Sequence, residues 1–269
     1  DEMTIVPVHT KSEDGFRLTP AGLDAALDSA DRPIKALLFT NPDNPLGSVS
    51  STAQVEEVLR WAAHNSMHVV ANEVYALSVF GSTPFVSSGR LRPSLGDQLH
   101  IVWAFSKDFA VSGLRCGVLL TENAAVLEAI DGLAYWAVCS GDTQWLLGRM
   151  VADDEWVDGY ITHNRARLRR AHTEVSAALG EQGIPHIRAE AGLFLLCDMR
   201  SFMPDLTEEA EAALWRSILE QANVNLTPGA ACHIAEPGFM RLCFAAEATD
   251  AVVAGVRRLG PVLQRFRQS

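Results

Sequence analysis

Short apolar runs alternate with helical-period stretches along the first half of the chain. Ile5–Val8, Lys35–Thr40, His68–Ala71, Ile101–Phe105 and Val118–Leu120 are rich in branched side chains and predict strands. Several are apolar at successive positions, the pattern of a strand covered on both faces within a parallel sheet. Between them, Thr19-Pro20 predicts a helix start, with a capping hydroxyl followed by proline in the first turn. Ser51 with Gln54 three residues on predicts a second start. Behind it Val55, Val58, Leu59, Ala62 and Ala63 recur on one helical face. Strand and helix in alternation predict an α/β layered fold, a mainly parallel sheet covered by helices.

The pattern changes near residue 150. A polar helical stretch runs from roughly Asp153 to Leu179 and carries Arg165, Arg167, Arg169 and Arg170, which predict a solvated face rather than an anion site. Then come a strand-like Ile184–Ile187, an apolar Gly192–Asp198, a helix over Leu206–Gln221, strands at Val224–Thr227 and Met240–Phe244, and a helix from about Thr249. The expected division is 1–150 as part of a large domain and 151–269 as a linking helix with a small α+β domain. No internal repeat or low-complexity tract is present.

Composition narrows the functional classes. Of 269 residues, 48% are apolar and 20% charged, as in ordinary globular proteins, and the formal net charge is -11 with no phosphate-tracking basic run. Nucleic acid is therefore not an expected partner. No apolar stretch approaches bilayer length, and Asp1-Glu2-Met3-Thr4 resembles no signal start, so the expectation is no membrane and a cytoplasmic location. Cys116, Cys139, Cys197, Cys232 and Cys243 are odd in number and widely spaced without a CxxC pair. They predict buried thiols, with neither a disulfide framework nor a metal site.

Candidate chemistry gathers behind the strands. Phe105-Ser106-Lys107-Asp108-Phe109 closes the fourth strand-like run, and Gly113-Leu114-Arg115-Cys116-Gly117 follows. A lysine there loses hydration, which suits an amine meant to be neutral and nucleophilic. Arg115, in a glycine-flanked loop, suits a doubly charged phosphate through paired charge-assisted bonds. Asn41-Pro42-Asp43-Asn44-Pro45-Leu46-Gly47 forces a turn after Lys35–Thr40, where α/β folds place ligands. Asn41 reads as a structural turn residue. After His68–Ala71, Asn72 and Tyr75 could both face one ligand.

These segments, in this order, resemble the fold-type-I pyridoxal-phosphate enzymes of the class I/II aminotransferase family, and most of all its aminocyclopropane-carboxylate synthase and animal synthase-like branch. The matching motifs are His9-x₆-Phe16-Arg17-Leu18-Thr19-Pro20, the NPxNPLG turn, Glu73–Phe80, Ser106–Phe109, Ser112–Arg115, Ala191–Phe194, Thr227-Pro228-Gly229 and Gly238–Phe244. The resemblance implies pyridoxal 5'-phosphate as cofactor, an α-amino-acid substrate, a homodimer and no metal. It implies Lys107 as the catalytic lysine that carries the cofactor as a Schiff base and shuttles the α-proton. Ser106 and Arg115 would hold the phosphate, Asn44 and Tyr75 the phenolic oxygen, Asn72 the ring nitrogen, and Arg241 the substrate carboxylate.

Three departures from the family pattern stand out. Asn72 replaces the aspartate that keeps the ring nitrogen protonated, and Glu73 points to the other strand face. Ala104 stands where the family often has a serine. The N-terminal region that supplies a glycine-rich phosphate loop, a stacking aromatic and an intersubunit tyrosine is not found, so a fragment or a truncation is expected. Transamination is the leading expectation. Ring closure of S-adenosylmethionine is the close alternative, and a catalytically degenerate binding module the third.

Overall fold

The computed structural model describes residues 4–91 and 96–268. Its first sheet takes β1 (Ala36–Thr40), β2 (His68–Asn72), β3 (Leu99–Ala104) and β4 (Gly117–Thr121) in that spatial order. β1, β2 and β3 are parallel, and β4 runs antiparallel along β3. Helix α1 (Pro20–Asp28) starts as its sequence demands, with Thr19 Oγ1 accepting from Gly22 N. Helix α2 (Thr52–His64) carries the expected capping box between Ser51 and Gln54. Its buried Val55, Val58, Leu59 and Ala62 pack with Phe39, Val69, Ala71, Leu99 and Ile101. The parallel sheet exists because this apolar helical stripe covers one of its faces.

Beyond β3 the chain makes a single helical turn, α3 (Phe105–Asp108), before β4. Helices α4 (Ala124–Ala137) and α5 (Gly141–Val151) follow; the apolar pattern had predicted neither. The long α6 (Asp154–Glu181) leads into a second, antiparallel sheet. That sheet takes β5 (His186–Ile187), β6 (Phe194–Asp198), β8 (Phe239–Cys243) and β7 (Thr227–Pro228) in order. Helices α7 (Glu208–Ser217) and α8 (Thr249–Gln268) complete it. Leu168, Val175, Ala178 and Leu179 of α6 join Leu195, Met240, Leu214, Leu259 and Leu263 in the largest apolar core.

Several expectations change. Ile5–Val8 is not a strand: it has no ladder partner among the described residues, and Ile5 is 78% exposed. It lies instead across a cavity beside β1. Strand β3 ends at Ala104, so Lys107 sits on a helical turn three residues past the strand rather than on it. Val224–Thr227 shrinks to a two-residue strand, because Asn223 adopts a left-handed backbone and Trp215 Nε1 takes the Leu226 carbonyl. The arginine run is only partly solvated. Arg165 and Arg169, one turn apart, donate from Nε to the carbonyls of Leu77 and Phe80. Of the cysteines only Cys197 is buried.

Candidate active site

The carboxyl ends of β1, β2 and β3 and the segments that leave them carry Asn44, Asn72, Tyr75, Ser106 and Lys107. That is where an open parallel sheet leaves a crevice for ligands. The loop after β1 is locked from within. Buried Asn41 accepts from Ser50 N at 2.9 Å, as a structural turn residue should, and Asp43 Oδ1 accepts from Leu46 N at 3.1 Å. Gly47 (φ 68°) lets the loop touch the second half of the molecule. Its carbonyl accepts from Glu190 N and Ala191 N, and an added Cβ would fall 2.6 Å from Ala189 Cβ. Desolvation raises Asp43 to about 6 despite the Leu46 bond.

That loop presents Asn44 to Arg241 of β8. Arg241 Nη1 donates to Asn44 Oδ1 at 2.9 Å and Nη2 to Thr227 Oγ1 at 3.3 Å. The guanidinium lies 5.4 Å from the Phe194 ring centre, and Phe194 meets Tyr75 edge to face at 5.4 Å. Both oxygens that hold Arg241 are neutral, and it forms no ion pair among the described residues. A half-buried guanidinium fixed this way keeps its charge available for an incoming carboxylate. Asn44 Oδ1 is engaged by Arg241, which leaves its amide NH₂ as the group able to donate. Burial raises the Tyr75 phenol, with Arg241 pulling the other way, so Tyr75 is a neutral O–H donor at neutral pH.

Asn72 closes β2. Its Nδ2 reaches Thr40 Oγ1 at 3.4 Å, and its Oδ1 is buried without a hydrogen-bond partner. An orphaned buried acceptor is costly, and it is relieved when a ligand brings an N–H. Glu73 is no substitute: it is buried on the other side, where it accepts from Ser88 N at 2.7 Å.

Lys107 is half-buried and forms no ion pair among the described residues. The turn beneath it is held by Asp108, which sequence pattern alone does not mark as part of the site. Asp108 is 1% exposed and accepts from Ser78 Oγ (2.6 Å), Trp103 Nε1 (2.8 Å) and Leu77 N (3.0 Å). It therefore ties the Lys107 turn to the segment just after Tyr75. Desolvation raises its pKa, and those three donors and Arg165 oppose the rise. Its signal in the sequence is an acid set between Lys107 and the apolar Phe109 just past a strand. Ala104, the N-cap of α3, makes no side-chain capping bond, in keeping with the missing serine.

Ser106 and Arg115 meet through a third residue. Ser112 Oγ donates to the Ser106 carbonyl at 2.9 Å, and Arg115 Nη1 donates to the Ser112 carbonyl at 3.1 Å. Arg115 has a left-handed backbone (φ 53°) and is exposed. A cavity of about 540 Å³ lies elsewhere, between Ile5–Thr10, the open edge of β1 and Cys232–Ala235. It touches these loops at Thr40 and Asp43–Leu46 and is lined by none of Tyr75, Lys107, Arg115 or Arg241.

The profile of the family described as aminotransferase class I and II matches residues 1–258. The chain belongs to that family. Among curated relatives, 1-aminocyclopropane-1-carboxylate synthase 4 of Oryza sativa subsp. japonica is 36% identical over 268 residues, covering 90% of this chain and 54% of the relative. 1-aminocyclopropane-1-carboxylate synthase 6 of Arabidopsis thaliana is 35% identical over 250 residues, covering 90% and 50%. The chain thus spans about half the length of these relatives. An aromatic aminotransferase from Pyrococcus horikoshii OT3 superposes with a TM-score of 0.85 at 23% identity, over 96% of this chain and 66% of that one. An aspartate aminotransferase from Thermus thermophilus with maleate gives 0.82 at 24%, over 95% and 63%. The fold is therefore that of the aminotransferases, as the resemblance implied.

Proposed function

We propose that the protein binds pyridoxal 5'-phosphate on Lys107 and transaminates an α-amino acid. The observation that carries this reading is Arg241. Its guanidinium is fixed by Asn44 and Thr227, faces Phe194 and lacks a carboxylate partner among the described residues. A substrate carboxylate would supply two parallel charge-assisted bonds in its place. The orphaned Asn72 Oδ1 supports the cofactor, because a ring N–H would satisfy it. Ser106 and Arg115 would hold the phosphate, and the Asn44 amide and Tyr75 hydroxyl the phenolic oxygen.

When bound, the cofactor supplies an electron sink for charge developing at the substrate Cα. The chain's own part is to bind, orient and move protons. Arg241 anchors one end of the substrate, which fixes where its Cα–H lies. Lys107 Nζ takes that proton and delivers it to the next acceptor atom. Asp108 keeps the lysine turn in register with Tyr75. A homodimer is proposed with this reading.

Two other readings each have an observation in their favour. The similarity to aminocyclopropane-carboxylate synthases favours ring closure of S-adenosylmethionine, which begins with the same proton removal by Lys107. Asn72, a neutral amide beside the ring position, favours a binding module without turnover. One experiment separates the three. Protein mixed with pyridoxal phosphate should develop a visible absorption band, and borohydride should fix the label on Lys107. The absence of a band, or a label on another residue, would defeat the cofactor reading. Amino acids and S-adenosylmethionine, added in turn, then distinguish transaminase, synthase and inert binder.

A further inference from the structure

We propose that Cys116 and Cys139 are a reversible disulfide pair that governs the phosphate-binding corner of the site. Cys139 Sγ donates to Cys116 Sγ at 3.6 Å, although the two residues lie 23 positions apart. Both are half-buried, whereas Cys197 is sealed in the core. A disulfide spans about 2.05 Å, so closure needs roughly 1.5 Å of approach.

The two sides of the pair are held differently. Cys139 lies between α4 and α5. Helix α4 buries none of its residues, and Cys139 itself is tied by its carbonyl to Gln144 Nε2 at 2.9 Å. This side can yield. Cys116 is fixed to the site, since its carbonyl accepts from Phe105 N, at the first residue of the Lys107 turn, at 3.3 Å. It also directly follows Arg115, whose left-handed backbone leaves little slack and whose guanidinium is held by its own loop at Ser112. Joining Cys116 to the α4–α5 junction restrains the backbone that aims Arg115 and moves with the Lys107 turn.

The chemistry needs a peroxide as oxidant. One thiolate displaces hydroxide from the peroxide and becomes a sulfenic acid, and the second sulfur displaces water from it. In sum two thiols and one hydrogen peroxide give a disulfide and two waters, and an added dithiol reverses the bond by exchange. Burial, and then the neighbouring thiol, raise Cys116 above the ordinary thiol range, so mildly alkaline conditions should speed the reaction.

The effect on ligand rests on the pyridoxal-phosphate reading, whereas the pairing does not. Purified protein is treated with hydrogen peroxide and compared with protein kept in dithiothreitol. Titratable thiols in denaturant should fall from five to three, with a mass loss of two hydrogens and a Cys116–Cys139 cross-linked peptide. Any other pairing, or none, overturns the proposal. Pyridoxal phosphate titrated into both forms should bind about tenfold more weakly to the oxidised one, a coupling of ordinary size between linked sites. Dithiothreitol should restore it, and Cys139→Ser should not respond to peroxide. Equal affinity in the two forms would overturn control of the site while leaving the pair standing. Failure of the reduced protein to bind at all would remove the cofactor reading and the control with it, and the peptide map would still decide the pair.

Discussion

Single residues show how burial sets the chemistry of this site. Asp43 is an acid in a locked loop, and desolvation raises it to about 6 from an ordinary 3.8. A raised acid favours the folded state while protonated. Its contribution is therefore present below about 4 and is lost as pH rises through about 6. With partial exposure discounted, the loss is about 1–2 kcal/mol. Asp43→Asn keeps an oxygen for Leu46 N and cannot titrate. Urea unfolding of the two proteins at pH 4 and pH 7 should show the variant gaining on the parent at the higher pH, and parallel curves would contradict the assignment. Asn72→Asp tests the opposite situation, a missing charge. It should tighten pyridoxal-phosphate binding by about 2 kcal/mol, the scale of a hydrogen bond to a charged group. Unchanged affinity in a fluorescence titration would mean that the ring nitrogen does not meet residue 72. The motifs that single out Lys107, Arg115 and Arg241 as candidates are local in the sequence. Asp108 is not marked in this way, since its three donors come from Leu77, Ser78 and Trp103, and only folding brings the first two to it.

At the scale of elements, periodicity succeeds where an element is covered on one side and fails where cover is absent. Helices α2 and α6 are legible because their apolar stripes match the cores they fill. Ile5–Val8 has the composition of a strand, yet composition cannot supply a ladder partner, and the segment instead lies across the β1 cavity. Helix α4 is apolar enough to be one, but with no buried residue it has no polar face opposite a core to betray its period. The same contrast orders the energetics. Removing the α2 cap with Ser51→Ala should cost about 1 kcal/mol. Leu179→Ala in α6, at a fully buried position, should cost about 3 kcal/mol through lost burial and the cavity left behind. Denaturant midpoints with unchanged slopes would check both, and equal losses would mean that the α6 core relaxes around the gap.

The whole molecule is uneven in what it covers. The α6–α8 side closes around Leu195, Leu259 and Leu263, all fully buried. Elsewhere Val118 and Leu120 of β4, Leu127, Ile130, Leu133, Tyr135 and Trp136 of α4, and Trp145 and Leu146 of α5 stand in solvent, with Tyr135 and Trp136 each 83% exposed. Apolar exposure on neighbouring elements at this scale favours association, and the net charge of -11 opposes it only while salt is low. The chain should therefore self-associate in a concentration-dependent way, more strongly as salt is raised. Sedimentation velocity at two salt concentrations measures this directly. Trp136→Glu, on a surface position that no core residue depends on, should shift the distribution toward monomer with little change in unfolding midpoint. A monomer at all concentrations in high salt would show that the band does not drive contact. A variant that loses its folded signal would instead show that α4 packs more firmly than its exposure implies.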